Sequence, residues 1–261
     1  METAVIIFSK APIPGLVKTR LTEGTCLNEK DTAILAEAML KDTIKLVSES
    51  CTNKIIVGFY PEEGSPILEE IVEKLKSAGF IDKNVLFFQQ FGANFDERFG
   101  FVIKEAFENG IDFVTVLGAD LPFMDPHVIN TTFEYLTTNI YEKPLVLGPS
   151  SGGGIYLVGV SKDFNPEWFS EHHLFRGGIE LSRFVSFSNK NKFNLLLLPP
   201  YGDVDIEEDL VSLITYIDAL SVSENSIGFH FPHFTAKVLD ELGIYIIEEE
   251  NQTRRRKIAK K

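Results

Sequence analysis

The chain has 261 residues, of which 44% are hydrophobic and 24% are charged, and its formal net charge at pH 7 is −13. This length is enough for one large domain or two small ones with a full core. The negative charge argues against a general nucleic-acid-binding protein, because such proteins need a basic surface to displace counterions. An acidic chain can still bind a nucleotide where its few cations converge.

The cysteines and the apolar runs favour a cytoplasmic protein. Cys26 and Cys51 have no metal-ligand spacing and give no disulfide framework, which is typical of a reducing compartment. The N-terminus has no basic segment followed by a long apolar core, so we expect no signal peptide. No run approaches the roughly 20 apolar residues of a membrane span. The oligomeric state leaves no signal in the sequence.

Apolar runs of strand length alternate with segments of helical periodicity. The runs predict strands at 4–8, 54–60, 84–88, 112–117, 144–148, 154–160 and 194–198. The amphipathic segments predict helices at 28–50, 66–78, 97–109, 126–138 and 203–220. This alternation indicates an α/β fold with a mostly parallel sheet that is covered by helices on both faces.

We predict a single main domain over 1–220 and a C-terminal extension over 221–261. Within the extension, 235–242 predicts a short helix and 244–247 is an apolar run. The basic cluster at 254–261 predicts a disordered, solvated tail, and an electrostatic tether to an anionic partner is the alternative.

The first candidate site follows the first strand. Pro12 and Pro14 stop that strand and, with Gly15, form a stiff loop at its C-terminal end, where open α/β sheets bind ligands. The same stretch carries three cations, which are Lys10, Lys18 and Arg20. Cations held together at this edge suit a polyphosphate, and an ordinary surface loop with solvated side chains is the alternative.

The second candidate site is the aspartate after the strand at 112–117. Gly118 and Ala119 leave space beside the backbone, and Asp120 follows them at the ligand-binding edge of the sheet. A carboxylate facing phosphates needs a cation between them, which Mg²⁺ or Mn²⁺ with oxygen ligands supplies. The alternative is that Asp120 only caps the following turn.

A third segment carries alternating acids before the predicted helix at 203–220. Asp203 and Asp205 point the same way in extended backbone, and Asp203 is a candidate second metal ligand, with simple exposure to solvent as the equal alternative. Asp205 is expected to cap the helix, with Glu208 at the capping-box position.

A fourth segment is the glycine run Gly152, Gly153 and Gly154 before the strand at 154–160. Glycines let the backbone pass close to a ligand or bind it through amides. A flexible turn is the alternative, because a triple glycine alone is a weak signal.

Taken in this order, the segments resemble the GT-A-like glycosyltransferase family linked to arsenosugar biosynthesis, also described as radical-SAM/selenodomain-associated transferases. That family is related to the guanylyltransferases of deazaflavin-cofactor biosynthesis. Its opening pattern, Lys-Ala-Pro-x-Pro-Gly-x-x-Lys-Thr-Arg-Leu, is matched from Lys10 to Leu21. Further matches are Asp96-Glu97-Arg98-Phe99, Gly118-Ala119-Asp120-Leu121-Pro122, the glycine run, His173-Leu174-Phe175, Asp203-Val204-Asp205 and Glu208-Asp209-Leu210.

The resemblance implies a Rossmann-like GT-A fold of the nucleotide-diphospho-sugar transferase type. It implies that Asp120 binds the metal, and that Lys18 and Asp120 are catalytic. The acceptor is expected over Gly152, Gly153 and Gly154. The expected nucleotide-binding residues are Lys10, Pro14, Gly15, Lys18, Arg20 and Arg98.

One departure separates the chain from this family. The family usually has an aspartate before its Gly-Gly pair, and this chain has Gly152 there. If that aspartate serves as a base or an acceptor contact, this protein lacks it, which leaves the reaction open.

Three functions therefore remain. The first is a metal-dependent glycosyltransferase that uses a nucleotide-diphosphate-sugar donor and a small-molecule acceptor. The second is a nucleotidyltransferase that joins a nucleoside triphosphate to a phosphorylated small acid and releases pyrophosphate. The third is a non-catalytic nucleotide-binding protein.

Overall fold

A computed structural model describes residues 1–223, 226–248 and 256–261. Its main sheet has seven strands, β1 (Thr3–Lys10), β2 (Lys54–Tyr60), β3 (Val85–Gln89), β4 (Phe113–Gly118), β5 (Pro144–Pro149), β6 (Ile155–Ser161) and β7 (Asn194–Leu197). The helices packed on it are α1 (Thr19–Gly24), α2 (Glu29–Ser48), α3 (Ser65–Ser77), α4 (Phe95–Glu108), α5 (His127–Thr138), α6 (Trp168–Glu171), α7 (Glu180–Asn191) and α8 (Glu207–Val222). The C-terminal part adds α9 (His233–Glu241), β8 (Ile244–Glu248) and β9 (Arg256–Lys260).

The strand order is β3-β2-β1-β4-β6-β5-β7, and β6 runs antiparallel to both of its neighbours. The remaining pairs are parallel, so the predicted mostly parallel, mixed sheet is confirmed. From β1 the chain passes to β2 on one side, whereas β4 lies on the other side. The order of the sheet therefore reverses between β1 and β4, which is where open α/β sheets bind ligands.

Both faces of the sheet are buried. Val5 and Ile7 belong to the apolar cluster on the face covered by α2, whereas Ala4 and Ile6 belong to the cluster on the opposite face. Successive side chains of a strand point to opposite faces, so a strand covered on both sides must be apolar throughout. The run at 4–8 has that composition for this reason.

The boundaries of most elements match the predictions within a few residues. The predicted helix at 203–220 begins later, at Glu207, because the Asp209 carboxylate accepts hydrogen bonds from the backbone N–H groups of Asp205 and Ile206. Asp205 is therefore not the cap that the sequence predicts. Helix α7 was not predicted.

The basic tail differs from the prediction. Arg254 and Arg255 lie outside the described residues, but Arg256–Lys260 forms β9, which pairs antiparallel with β8. Ile258 is buried in the main apolar cluster, and the Lys260 ammonium lies 2.8 Å from both carboxylate oxygens of Asp31. Strand pairing, burial and an ion pair thus order a segment whose composition alone indicates disorder.

Among the described residues, no helix has the length and apolar character that crossing a membrane requires.

A buried carboxylate attaches the C-terminal part to α2. The Asp42 carboxylate accepts hydrogen bonds from the backbone N–H groups of Phe234 and Thr235, at 3.0 and 2.7 Å, and from the Thr235 hydroxyl. Burial nevertheless raises the pKa of Asp42 from 3.8 to about 6. The native state therefore holds a proton on Asp42 at pH values where the unfolded chain has released it.

We expect stability to fall as the pH rises from about 4 to about 6 because of this proton, by up to about 3 kcal/mol, and then to level off. Asp42→Asn, which does not titrate, should remove this fall. Urea unfolding of both proteins at several pH values measures it, with the exposed Asp218→Asn as the control. An identical pH profile for the wild type and Asp42→Asn would contradict the assignment.

Candidate functional site

The loop after β1 is held in an uncommon backbone conformation. Gly15 has a φ of 80°, and Lys18 has a left-handed φ of 48° immediately before α1. The Lys10 ammonium donates to the backbone carbonyl of Leu16 at 3.3 Å, which ties the two ends of the loop together. Left-handed geometry at a residue other than glycine costs about 1 kcal/mol or more and is concentrated at functional sites.

The loop after β1 and the end of β4 meet through an ion pair. Strands β1 and β4 are hydrogen-bonded neighbours with Phe8 opposite Gly118, so the segments that follow them emerge side by side. The Lys18 ammonium lies 2.8 Å from Asp120 Oδ2, and the two side chains are only 12% and 28% exposed. The structure thus brings together the two residues that the sequence singled out as catalytic.

Two adjoining cavities open at this pair. We call the first the basic chamber, with a volume of about 570 Å³; its lining includes Lys10, Lys18, Arg20, Asp120 and Asp205. We call the second the aromatic chamber, with a volume of about 250 Å³; its lining includes Phe8, Phe95, Phe99, Tyr156, Phe175, Asp120 and Asp203. Asp120, Phe8 and Phe95 line both. The site is therefore one cleft with two chemically different halves.

Segment 203–205 places one acid in each chamber. The backbone N–H of the buried Val204 donates to the carbonyl of Asp120 at 3.3 Å, which fixes this segment beside the end of β4. Asp205 forms an ion pair with Arg20 in the basic chamber, and Asp203 accepts a hydrogen bond from the Ser150 hydroxyl beside the aromatic chamber. The two acids thus face different halves of the cleft.

The environment of Asp203 disfavours its charge. Burial raises its pKa, the Ser150 hydroxyl partly opposes this, and the negative charge of Asp120 raises the pKa further. Two carboxylates that repel each other at the edge of one chamber indicate a position where a bound cation is favourable. Lys18 supplies one positive charge there.

The aromatic wall of the second chamber consists of rings from three separate segments. Phe8 packs against Phe95 and Phe99 with ring centroids 5.2 and 5.3 Å apart, and Phe175 packs against the same two rings at 4.9 and 4.6 Å. Rings this close leave no open space between them, so they form a continuous wall and not a cage. Sequence reasoning missed this wall; its available signal was the position of Phe99 and Phe175 inside the quoted motifs.

The remaining predicted residues do not line either chamber. Arg98 stacks over the ring of Tyr60, 4.9 Å from its centroid, and lines neither chamber. Gly152 and Gly153 have φ values of 67° and 87°, but neither they nor Gly154 line the chambers. Pro14 and Gly15 shape the loop without lining the chambers.

Comparison with known proteins supports the fold described above. Residues 65–176 match the model of a family described as an uncharacterized protein conserved in bacteria, DUF2064. The solved structure of a candidate nucleotide-diphospho-sugar transferase from Desulfovibrio desulfuricans G20 is similar with a TM-score of 0.72 at 24% identity, covering 92% of this chain and 95% of that one. No curated protein matches the sequence.

Nucleotidyltransferases share the fold as well. A cytidylyltransferase from Leptospira borgpetersenii serovar Hardjo-bovis has a TM-score of 0.53 at 18% identity, covering 92% of this chain and 94% of that one. The 4-diphosphocytidyl-2C-methyl-D-erythritol synthase of Anaerococcus prevotii has a TM-score of 0.57 at 12% identity, covering 83% and 96%. This chain therefore shares its fold with these three proteins, and at these identities the similarity extends to the fold alone.

The contribution of the Lys18–Asp120 pair can be measured with a double-mutant cycle on Lys18→Met and Asp120→Asn. Because the pair is mostly buried, we expect a coupling energy of about 1–3 kcal/mol in urea unfolding. The exposed pair Lys162–Asp112, with its lysine 58% exposed, is the matched control and should couple more weakly, because solvent screens its charges. A coupling energy near zero for Lys18 and Asp120, or one no larger than that of the control pair, would contradict the buried ion pair.

Proposed function

We propose that this protein is a transferase that binds a nucleotide-diphosphate-sugar, with the diphosphate in the basic chamber and the sugar in the aromatic chamber. The observation that carries the proposal is the opposite chemistry of the two halves of one cleft. The three cations line only the basic chamber, whereas Phe99, Phe175 and Asp203 line only the aromatic chamber. A nucleotide-sugar has the same division, with an anionic part joined to a neutral ring.

The basic chamber suits phosphates. Lys18 and Arg20 project into it, and an ammonium and a guanidinium both bind phosphate oxygens through charge-assisted hydrogen bonds. Their present partners are Asp120 and Asp205. When the bond between the sugar and the diphosphate breaks, negative charge grows on the leaving diphosphate, and fixed cations stabilise it without rearrangement.

The aromatic chamber suits a sugar and disfavours a phosphorylated acid. Among the described residues that line it, none is a lysine or arginine, whereas Asp120 and Asp203 are both acidic. A sugar can lay its apolar face on the wall of Phe8, Phe95, Phe99 and Phe175 and donate hydroxyl hydrogen bonds to the carboxylates. A phosphate or carboxylate in the same place would be repelled.

A divalent cation fits between the two halves. Asp120 and Asp203 offer the hard oxygen ligands that Mg²⁺ and Mn²⁺ prefer, and their mutual repulsion is relieved by a cation. The described residues contain no group of three or more acids, histidines or cysteines that could hold a metal ion. Phosphate oxygens and water therefore have to complete the coordination, as is usual for Mg²⁺. A bound metal would help neutralise the leaving diphosphate.

Nucleotidyl transfer is the second candidate, and the similarity in fold to cytidylyltransferases favours it. It uses the same basic chamber for a triphosphate and releases pyrophosphate. The two reactions differ in product, which makes them separable by experiment.

We expect nucleotide-diphosphate-sugars to raise the melting temperature more than nucleoside triphosphates in the presence of Mg²⁺, because they fill both chambers of the folded protein. Thermal denaturation with a panel of nucleotide-sugars and nucleoside triphosphates that differ in base and sugar measures the shift in melting temperature. Product analysis then distinguishes the reactions: release of nucleoside diphosphate supports glycosyl transfer. Release of pyrophosphate with a phosphorylated acid would overturn the proposal in favour of nucleotidyl transfer.

Substitution of Arg20 and substitution of Asp205 should change the affinity for the nucleotide-sugar in opposite directions. Arg20→Met should weaken binding of the preferred nucleotide-sugar about tenfold, because one charge-assisted hydrogen bond of about 1.5 kcal/mol is lost. Asp205→Asn should tighten binding, since it frees Arg20 and removes a negative charge beside the phosphates. Calorimetric titration measures both, with the exposed Lys162→Met as the control. Affinity that is unchanged in both variants would exclude the basic chamber as the phosphate site.

A further inference from the structure

A third cavity lies along one face of α7, outside the cleft. Its volume is about 410 Å³. Ser182, Arg183, Ser186 and Lys190 line it at spacings of three and four residues, which places them on one side of the helix. None of these residues lines either chamber of the cleft. We call this cavity the α7 groove.

The α7 groove is cationic in a protein with a net charge of −13. No aspartate or glutamate is among the described residues that line it. Within the described part of the chain, neither Arg183 nor Lys190 forms an ion pair, whereas Lys41, Lys45 and Lys74 are all paired with acids along their own helices. Positive side chains left without acidic partners here indicate a preference for an external anion.

The Arg183 guanidinium is incompletely satisfied. Its Nε–H is fully buried and has no hydrogen-bond partner among the described residues. One side of the group is closed by the loop before α7, since a Cβ placed on Gly177 would lie 3.6 Å from Nη2 of Arg183. Buried N–H groups nearly always find an acceptor, so this one is expected to gain a partner from a ligand or from water.

The floor of the α7 groove is apolar. Leu174 and Phe187 are buried and line it, and Ile179 closes one end while remaining half exposed. The ring of His172 packs on Phe187 with centroids 5.0 Å apart. The exposed apolar surface at the groove is that of Ile179, which a fully hydrated inorganic ion would leave in contact with water, so the groove fits an anion that carries an apolar portion.

We propose that the α7 groove is a second binding site, for a small organic anion whose phosphate or carboxylate meets Arg183 and Lys190 and whose apolar portion packs against Ile179. The guanidinium offers the planar donor geometry that such anions accept in pairs. The hydroxyls of Ser182 and Ser186 add further polar contacts at the rim. This site does not depend on the reaction in the cleft.

A tryptophan next to the α7 groove allows binding to be followed by fluorescence. Trp168 is the single tryptophan, and its ring lies 5.7 Å from that of Phe187 in the floor of the groove. Titration of the full chain with n-butyl phosphate should therefore produce a saturable change in tryptophan fluorescence, with an apparent Kd of about 1 mM. Because the attraction is between charges, the change should weaken with added salt. The neutral analogue n-butanol should produce no saturable change.

The variants locate the site. Arg183→Met and Lys190→Met should each weaken n-butyl phosphate binding severalfold and keep the far-ultraviolet circular dichroism of the wild type. Lys162→Met is the matched control and should bind it as the wild type does, because Lys162 lies outside both the cleft and the α7 groove. Calorimetry of the same titrations detects binding that leaves the fluorescence unchanged. Absence of binding by both methods, or binding by Arg183→Met and Lys190→Met equal to that of Lys162→Met, would overturn the proposal.

Discussion

The contact between Lys18 and Asp120 depends on one constraint, which is that β1 lies between β2 and β4. The two residues are 102 positions apart, and their side chains meet because the parallel neighbours β1 and β4 end at the same edge of the sheet. Every other feature of the cleft is arranged around this contact. A backbone hydrogen bond from Val204 to the carbonyl of Asp120 attaches the segment 203–205 beside the end of β4. Phe8 lies near the C-terminal end of β1, just before the loop begins.

The cleft holds positively charged side chains in one half and most of its aromatic surface in the other half. Lys18 and Arg20 are held on one side by a loop with left-handed backbone at Lys18, and the wall that contains Phe95 and Phe175 is held on the other side by α4. Asp96 helps to fix this wall, since its carboxylate accepts a hydrogen bond from the backbone N–H of Phe175 at 2.9 Å. A ligand with an anionic half and a neutral half is therefore matched by the cleft as a whole.

The C-terminal part shows how tertiary contacts change the meaning of a local sequence. Residues 256–261 are basic and polar, yet the structure orders them through pairing with β8, burial of Ile258 and the ion pair of Lys260 with Asp31. The Glu207 carboxylate accepts a hydrogen bond from the backbone N–H of Ile258, which connects β9 to the start of α8. These partners lie far away along the chain, and composition carries no information about them.

The sequence by itself predicted the seven strands of the main sheet and the longer helices between them, the double-sided burial of the sheet and the candidate roles of Lys18, Arg20 and Asp120, but not α1, α6, α7 or β9. These follow from local patterns, because apolar runs, prolines and glycines act within a few residues. Only the tertiary structure decided that Asp205 pairs with Arg20, that Phe8 and Phe175 share a wall, and that Arg98 stacks on Tyr60 instead of entering the cleft. These contacts join segments that are far apart in the chain, and sequence separation does not predict distance in space. The packing of the whole sheet therefore determines which of these side chains meet.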